Sequence, residues 1–428
     1  MNNHEFKDTY LGPVPFDWEM IKLGDLFEPV NLKLKDFEER NEDIPILSMT
    51  RYQGLILQSR KFDKRVASRD TSNYKVVKHG HLVYGFPIDE GVIAILHRYP
   101  IGAVSPAYNV WKPTREIDLL FVDYLLKTSV LIQVYRTYTA HVVGRRRNLP
   151  QRDFVNIEIP LPPLPEQHAI AQVLTTVRQS IEATERVIAA AKELKRSMMK
   201  YLFNYGPVPV DLADQVALKE TEIGDLPIKW EVNKLSDVVT FTRKPRNLNI
   251  SAFERIPFIP MDAVPIDRRY PKYYLEKTPD EISSGIYAEL NDIILAKITP
   301  SFENGKQAII ANIPTDFAYV TTEVFPISPN DKDQLNNLFL FYYLKNAEVR
   351  SDIAAKMEGT TGRQRVPKDV VRNTHIPIPN ISQQIQIAEE LDTVDTKVHC
   401  ETYRKSALDG LFNSLLHQLM TGRVRAQY

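Results

Sequence analysis

Two long segments of the chain carry apolar residues in alternating steps of four and three, which is the spacing of a coiled-coil seam. The first segment runs from about Glu166 to Phe203, with a break near Lys195. The second begins near Ser382, a predicted N-cap, and polar residues interrupt its middle, which we therefore expect to be looser. The predicted seam residues are Ile170, Leu174, Val177, Ile181 and Ile188 in the first segment, and Ile387, Leu391, Val394, Val398 and Leu415 in the second.

Shorter apolar runs, separated by turn residues, precede each long segment and predict strands. In the first half these runs are 43–49, 81–86, 91–97 and 101–111, and a helical pattern follows over 118–135. In the second half they are 256–261, 292–298, 307–313 and 319–327, followed by a helical pattern over 334–357. A proline-rich hinge then leads into each long segment, because proline suits the first turn of a helix but not its interior.

The chain contains an internal repeat. Residues 150–205 and 367–422 align at a constant offset of 217 without a gap, so that Gln167 meets Gln384. The fronts of the two halves align at an offset of 212, so that Trp18 meets Trp230. Because the period is far too long for a solenoid and the intervening residues diverge, the sequence predicts a duplicated frame that carries two different inserts.

The pattern predicts mixed α+β domains and two long antiparallel helices, with the halves related by a pseudo-twofold. The predicted divisions are a first domain over 1–158, a hinge and central long helix over 159–205, a linker over 206–220, a second domain over 221–375, and a hinge and distal long helix over 376–428. Two seams of matched register favour packing of the helices against each other. The alternative is that each helix docks onto its own domain as a core element.

Composition limits the function classes. The 54 basic and 54 acidic residues give no net charge, which argues against a globally basic, non-specific nucleic-acid binder. The single cysteine, Cys400, leaves no partner for a disulfide within the chain and fits a reducing compartment. No apolar run is long enough to cross a bilayer, and the N-terminus lacks a signal-peptide core. We therefore expect a cytoplasmic location.

Motifs for catalysis are absent from the sequence. There is no Walker A loop, no G-x-G-x-x-G after a strand, no Asn/Asp-Pro-Pro-aromatic tetrad and no Cys/His cluster with metal-ligand spacing. This pattern favours a non-catalytic binding protein without a bound cofactor. Two alternatives stay open: a two-headed adaptor that holds two protein ligands, and a nuclease or methyltransferase whose active-site residues are dispersed.

Basic residues are concentrated in loops where they could hold DNA. The most specific feature is the segment 144–148, Gly-Arg-Arg-Arg-Asn, echoed by Gly-Arg-Gln-Arg over 362–365. Arginine presents a planar, bidentate fork that fits phosphate and guanine. The predicted DNA-binding residues are Arg145, Arg146, Arg147, Lys61, Lys64 and Arg65 in the first half, and Arg243, Lys244, Arg246, Arg268, Arg269, Lys297, Lys306, Arg363 and Arg365 in the second.

Taken together, these motifs resemble the specificity subunit of type I restriction–modification systems. The resemblance rests on the Gly-x-Arg loop, the hinge Ile-Pro-Leu-Pro-Pro-Leu-Pro-Glu-Gln over 159–167, the long helix that follows, and the repetition of this order. The front echo at Trp18 and Trp230 and the ending Leu-Met-Thr-Gly-Arg-Val-Arg over 419–425 also match. The second hinge departs from the pattern, because it lacks the double proline and the glutamate of the first.

The resemblance implies a fold and a set of partners. Each domain would recognise one half of an asymmetric, bipartite site in double-stranded DNA. If the two domains address one face of the duplex, their half-sites should lie about one helical turn apart, roughly 10 base pairs centre to centre. The long helices would space the domains and dock two methyltransferase subunits. Those subunits would use S-adenosylmethionine, and restriction subunits would use ATP and Mg²⁺, while this chain would bind no cofactor. Because the hinges differ, we do not assume that the two docking faces are equivalent in strength.

Overall fold

The computed structural model describes residues 5–37, 44–50, 54–61, 70–139, 149–360 and 362–427, without the side chains of Arg60 and Lys61. It is a mixture of short strands, short helices and two long helices, as the sequence predicts. The chain divides into two compact units. Unit 1 comprises Met1–Ala183 with Ser406–Tyr428, and unit 2 comprises Thr184–Lys405. The units therefore do not follow chain order, since each contains a segment of both long helices.

The elements of the first half of the chain end in the first long helix. Its strands are β1 (Phe6–Thr9), β2 (Gly12–Pro15), β3 (Glu19–Lys22), β4 (Phe27–Val30), β5 (Leu47–Thr50), β6 (Gly54–Leu57), β7 (Lys75–Lys78), β8 (Leu82–Tyr84), β9 (Ile93–Ile95), β10 (Ile101–Val104), β11 (Asn109–Pro113) and β12 (Glu158–Leu161). Its helices are α1 (Leu23–Leu26), α2 (Gln58–Lys61), α3 (Leu119–Leu125), α4 (Ser129–Thr139), α5 (Gln151–Phe154) and the long α6 (Leu164–Tyr205).

The second half repeats this plan and ends in the second long helix. Its strands are β13 (Leu218–Thr221), β14 (Gly224–Pro227), β15 (Glu231–Lys234), β16 (Val239–Phe241), β17 (Ile256–Ile259), β18 (Leu275–Lys277), β19 (Ile286–Glu289), β20 (Ile293–Ala296), β21 (Gln307–Ile309), β22 (Phe317–Val320), β23 (Val324–Pro329) and β24 (His375–Ile378). Its helices are α7 (Leu235–Val238), α8 (Asn337–Lys345), α9 (Ala347–Ala354), α10 (Lys368–Arg372) and the long α11 (Ile381–Met420).

The sheets separate a repeated frame from two different inserts. Pairs β1–β2 and β3–β12 recur as β13–β14 and β15–β24, and the four-stranded sheet β4-β11-β8-β9 recurs as β16-β23-β20-β21. The remaining strands pair differently. Unit 1 has two separate pairs, β5–β6 and β7–β10, whereas unit 2 has one four-stranded sheet, β18-β17-β22-β19. The duplication predicted from the sequence therefore extends to strand order, and the divergent residues build different insert sheets.

One buried glutamine fastens each hinge to its domain. Gln167 donates to the carbonyl of Pro162 at 2.8 Å and accepts from the backbone N–H of Asp118 at 3.0 Å. Gln384 donates to the carbonyl of Pro379 at 2.8 Å and accepts from the N–H of Asn336 at 2.8 Å. Asp118 and Asn336 are the N-caps of α3 and α8. The repeated glutamine thus ties the start of a long helix to the start of a domain helix.

Both helical patterns that precede the hinges break into two helices, where the sequence predicted one continuous stretch. In the first half α3 ends before Thr128, whose hydroxyl donates to the carbonyl of Leu125 at 2.8 Å. In the second half Asn346 caps α9, its side-chain oxygen accepting from the N–H of Glu348 at 2.9 Å. Side chains that bond to nearby backbone groups favour such breaks over helix continuation.

The second long helix begins two residues earlier than a cap at Ser382 would place it. Ser382 lies inside α11, so its predicted role as N-cap is wrong. Asn380 supplies the cap instead, because its side-chain oxygen accepts from the N–H of Gln383 at 2.9 Å. Asparagine and serine are both good caps, and the sequence spacing did not distinguish them.

Within each unit, a segment of α6 runs antiparallel to a segment of α11. In unit 1 Arg425, just beyond α11, contacts Glu166, while the guanidinium of Arg178 lies 4.6 Å from the ring of Phe412. In unit 2 Lys195 contacts Asp395 at 2.6 Å, and Lys405 contacts Glu185 at 3.3 Å. The polar interruptions of the two seams at Lys195 and Lys405 are therefore occupied by ion pairs.

Both long helices also enter the hydrophobic cores. The core of unit 1 includes Trp18 of the frame, Leu174 of α6 and Phe412 of α11. The core of unit 2 includes Leu202 of α6 and Leu391 of α11. Helix pairing and docking onto a domain, which the sequence left as alternatives, therefore occur together. The other seam residues, Ile170, Ile181, Ile387 and Val398, are buried, and Val177, Ile188, Val394 and Leu415 are partly buried.

Candidate nucleic-acid interface

The basic residues predicted for DNA binding in the first half fall largely outside the described part of the chain. Arg145, Arg146, Arg147, Lys64 and Arg65 lie outside the described residues. Lys61 ends α2, and its side chain is likewise not described. Among the predicted DNA-binding residues, those with described side chains all lie in unit 2.

The Gly-Arg-Gln-Arg loop of unit 2 is held against the segment that follows strand β20, because Thr299 donates from its N–H to the carbonyl of Gln364 at 3.0 Å. Arg365 exchanges two backbone hydrogen bonds with Glu358, at 2.9 and 2.8 Å, and forms an isolated bridge with Ile298. Its guanidinium donates to both carboxylate oxygens of Glu323, at 2.9 and 2.7 Å. These hydrogen bonds hold the pKa of Glu323 below its usual range. Arg363, two residues earlier, is exposed.

Two aromatic rings and two lysines form a continuous surface beside this loop. Strands β16 and β23 pair Phe241 with Ile327, which places Phe325 diagonally across from Phe241. The two rings meet edge to face, with centroids 5.7 Å apart. The Nζ of Lys368 lies 4.3 Å from the centroid of Phe241, and the Nζ of Lys297 lies 5.2 Å from that of Phe325. We call these four residues the basic–aromatic stripe.

Each lysine of the stripe has both cations and a carboxylate nearby. Partial burial lowers the pKa of Lys368, the nearby cations Arg243 and Arg372 lower it further, and Asp369 opposes this effect. Partial burial also lowers the pKa of Lys297; Glu323 opposes this effect and Arg365 adds to it. Like charges that are held together at some cost favour an anionic ligand.

A pocket of about 520 Å³ opens at the Lys368 end of the stripe. Its cations are Arg243, Lys368 and Arg372, and its lining includes the carboxylate of Glu289 and the hydroxyl of Thr240. Arg372 lies 3.8 Å from Asp369, so part of its charge is compensated. The net positive charge suits a phosphate group.

The other predicted cations of unit 2 differ in their surroundings. Lys244, Arg246 and Arg268 are exposed. Lys306 donates from Nζ to the carbonyl of Met261 at 2.8 Å, and Arg269 donates to Asp392 at 2.8 Å. The structure thus makes Lys297 part of the stripe, brings Arg243 and the 362–365 loop near it, and ties Arg269 to a long helix.

Sequence reasoning missed Phe241, Phe325, Lys368 and Arg372. A signal for the last two was available, since they stand four residues apart directly after the Gly-Arg-Gln-Arg loop, on one face of a short helix. The two phenylalanines gave no such signal. They lie in strands that are far apart in the sequence and meet only through sheet pairing.

Sites for other chemistry do not emerge from the described residues. Within them, no group of three His, Cys, Asp or Glu side chains is placed to hold a metal ion. The described helices include none that is long and apolar enough to span a membrane.

Comparison with known proteins points to one family. The model of the type I restriction modification DNA specificity domain matches residues 15–193 and 227–409. The chain is 26% identical over 441 residues to the type I restriction enzyme MjaVIII specificity subunit of Methanocaldococcus jannaschii, covering 99% of this chain and 96% of that protein. It is 24% identical over 450 residues to the putative MjaX specificity subunit of the same organism, covering 99% and 97%.

The fold has a counterpart among solved structures. The S subunit of a type I restriction-modification system from M. genitalium superposes with a TM-score of 0.59 at 14% identity, covering 98% of this chain and 97% of that one. At this level of identity the likeness extends to the fold alone.

Proposed function

We propose a function in DNA target recognition from the premise that this chain belongs to the type I restriction–modification DNA specificity family, whose model matches both of its halves. Each unit would recognise one half of an asymmetric, bipartite site in double-stranded DNA. The observation that carries this proposal is that one frame occurs twice with different insert sheets. Frames with the same strand order would give both domains the same way to approach DNA, and different inserts would allow different bases to be read.

In unit 2 the basic–aromatic stripe would grip the DNA backbone. Lys297 and Lys368, with Arg243 and Arg372 beside them, present positive charge to phosphates. The exposed Arg363 would reach a base edge, because its loop allows close approach and arginine can pair with guanine in a bidentate manner. Lys244, Arg246, Arg268 and Lys306 are further candidates for phosphate contact. In the first half the equivalent contacts would come from Arg145, Arg146, Arg147, Lys61, Lys64 and Arg65.

Partner subunits would supply the chemistry. We infer that two methyltransferase subunits, which would use S-adenosylmethionine, dock on the long helices, and that restriction subunits bring ATP hydrolysis and Mg²⁺. Exposed apolar residues on the long helices support docking: Val187 and Leu194 stand seven residues apart on one face of α6, and Tyr403 is exposed on α11. The chain itself would bind no cofactor and would act in the cytoplasm.

The first test is long-read detection of modified bases in host DNA with this gene intact and deleted. We expect a split, asymmetric motif that loses methylation on deletion. If deletion changes nothing, and the full-length chain co-purifies with no methyltransferase, the proposal is refuted.

A second test separates DNA binding from the rival functions. Because phosphate contacts release counterions, replacing Lys297 and Lys368 by Gln should lower the slope of log affinity against log salt by about 2, equally for all DNA sequences. The matched control is Lys219→Gln, an exposed lysine elsewhere on unit 2. A two-headed protein adaptor predicts no salt slope for DNA. A nuclease or methyltransferase predicts that the purified chain alone binds S-adenosylmethionine or a metal ion.

A further inference from the structure

The two units build the same helix junction from different chemistry. In unit 1 the junction consists of Tyr124 on α3, Thr175 and Arg178 on α6, and Phe412 on α11. The hydroxyl groups of Tyr124 and Thr175 are 3.4 Å apart, and Arg178 stacks on the ring of Phe412 at 4.6 Å. None of these four residues is a carboxylate, although Asp123 and Glu182 lie near enough to contribute to the raised pKa of Tyr124, whose main cause is burial.

At the corresponding positions, unit 2 has a network of charges. The hydroxyl of Tyr342 on α8 contacts Asp392 at 3.1 Å and Asp395 at 3.0 Å. Lys195 of α6 donates to both oxygens of Asp395, at 2.6 and 2.7 Å, and lies 5.2 Å from the ring of Tyr342. The repeat offset of 217 places Asp392 where unit 1 has Thr175 and Asp395 where it has Arg178, so neither carboxylate has a counterpart in unit 1.

Asp392 receives an arginine from the insert of unit 2. Arg269 donates from Nη1 to Asp392 Oδ2 at 2.8 Å, and its guanidinium stacks on the ring of Tyr270 at 4.5 Å. The ion pair is shielded, because only 29% of the Arg269 side chain and 26% of the Asp392 side chain are exposed. A shielded pair of this kind holds its two elements in one register more firmly than an exposed pair does.

Arg269 belongs to a loop, residues 262–274, whose backbone is hydrogen-bonded to unit 2 and whose other basic residues are exposed to solvent. The Nζ of Lys345 donates to the backbone carbonyl of Ile266 at 2.7 Å, and the N–H of Ile309 donates to the backbone carbonyl of Arg269 at 2.7 Å. Arg268 and Lys272 are exposed on the same loop. The loop thus presents basic residues to solvent, while Arg269 is directed into the protein.

We propose that Arg269 is a positioning residue: by its ion pair with Asp392 it fixes loop 262–274 on α11, and thereby sets which bases the second domain reads. The inference rests on the proposed function in DNA recognition and deepens it. It assigns Arg269 an internal role in place of the DNA contact that the sequence suggested. Specificity of the second half-site would then depend on a long helix as well as on the insert, whereas unit 1 lacks this connection at the equivalent position.

The experiment is a double-mutant cycle on the full-length chain. Arg269→Gln and Asp392→Asn each remove one charge with little change of shape, and Asn can still accept from Tyr342. We expect each single variant to lower discrimination at the second half-site by roughly tenfold, and the double variant to lower it no further, because both remove the same interaction. Discrimination at the first half-site and the salt slope of affinity should stay at wild-type values.

A direct DNA contact predicts a different result. Arg269→Gln would then weaken binding to all sequences and lower the salt slope by about 1, while Asp392→Asn, which removes a negative charge, would not weaken binding. Arg268→Gln, a change at the exposed neighbour, serves as the matched control and should follow this second pattern. Additive effects, or an effect of Arg269→Gln alone, would overturn the inference.

Local hydrogen exchange over α8 and α9 should match wild type in both variants, which excludes unfolding of unit 2 as the cause. The proposed function is tested separately by the wild-type chain. If wild type yields no split motif, the function itself fails. If wild type yields the motif and the cycle shows no coupling, only the positioning role fails.

Discussion

Replacing Arg425 by Ala should destabilise unit 1, because Arg425 joins the segment after α11 to residues near the start of the chain. The guanidinium of Arg425 donates to both carboxylate oxygens of Glu166, at 2.6 and 2.7 Å, and to both oxygens of Asp17, at 3.0 and 2.7 Å. Glu166 also accepts from the indole Nε1 of Trp18 at 3.1 Å. One arginine therefore joins the tail after α11, the start of α6 and the turn before β3.

We call Arg425, Asp17 and Glu166 the clamp, and its two ion pairs contribute differently to the stability of unit 1. The Asp17 side chain is 55% exposed, so its pairing with Arg425 stabilises unit 1 by only about 0–1 kcal/mol. The Glu166 side chain is fully buried, and breaking a buried pair by removing one partner costs about 3–5 kcal/mol. Because Arg425 lies near the surface, water can reach Glu166 once the arginine is gone. We therefore expect a loss of about 3 kcal/mol for Arg425→Ala.

Hydrogen exchange is the suitable assay, because a chain with two units does not unfold in one two-state step. The amide of Leu23, bonded to the carbonyl of Ile157 at 2.8 Å, reports on the frame next to the clamp. A loss of about 3 kcal/mol should accelerate its exchange roughly a hundredfold. Asp17→Asn, the control, should accelerate it about fivefold or less. If the two variants exchange at similar rates, the reasoning about the buried carboxylate is wrong.

Three further predictions concern stability. Burial lowers the pKa of His81 from 6.5 to about 4. The stability linked to its neutral form is therefore complete above about pH 6.5 and is lost as the pH falls toward 4. In thermal melts, His81→Asn should reduce this loss of stability at acidic pH. Gly410→Ala within α11, where the added Cβ would meet no other atom within 4 Å, should raise stability by about 0.5–1 kcal/mol. Gly422→Ala should lower it, because the glycine has φ +64° and its Cβ would meet a proline ring at 2.2 Å, a contrast that the melting temperatures of the two variants would show. Leu174→Ala in the buried seam should cost about 2–5 kcal/mol in hydrogen exchange, and Leu194→Ala on the exposed face of α6 less than about 0.5.

The two hinges differ in one glutamate, and this difference can be seen in the sequence. Trp18 bonds to the buried Glu166, and its repeat Trp230 bonds to Gln383 at 3.3 Å. The sequence showed that the second hinge lacks this glutamate, and the structure shows the consequence: Arg425 clamps the first hinge, and the second has a neutral hydrogen bond. What the sequence could not show was that the arginine comes from the far end of the chain.

The sequence by itself determined the repeated frame, the two long helices, the mixed α+β class and the family. These follow from local periodicity and from fixed spacings, which can be read without knowing what lies opposite. The hinge glutamines could also be identified, because they recur in register.

Only the tertiary structure decided which residues meet. Phe241 and Phe325 become neighbours because β16 pairs with β23, and Lys368 joins them from a helix that follows 43 residues after Phe325. Arg269, which looked like one more cation in a basic loop, is directed instead to Asp392, 123 residues away. Side chains of one type are equivalent in a sequence, and burial, sheet register and the nearest opposite charge determine which of them remain available to a ligand.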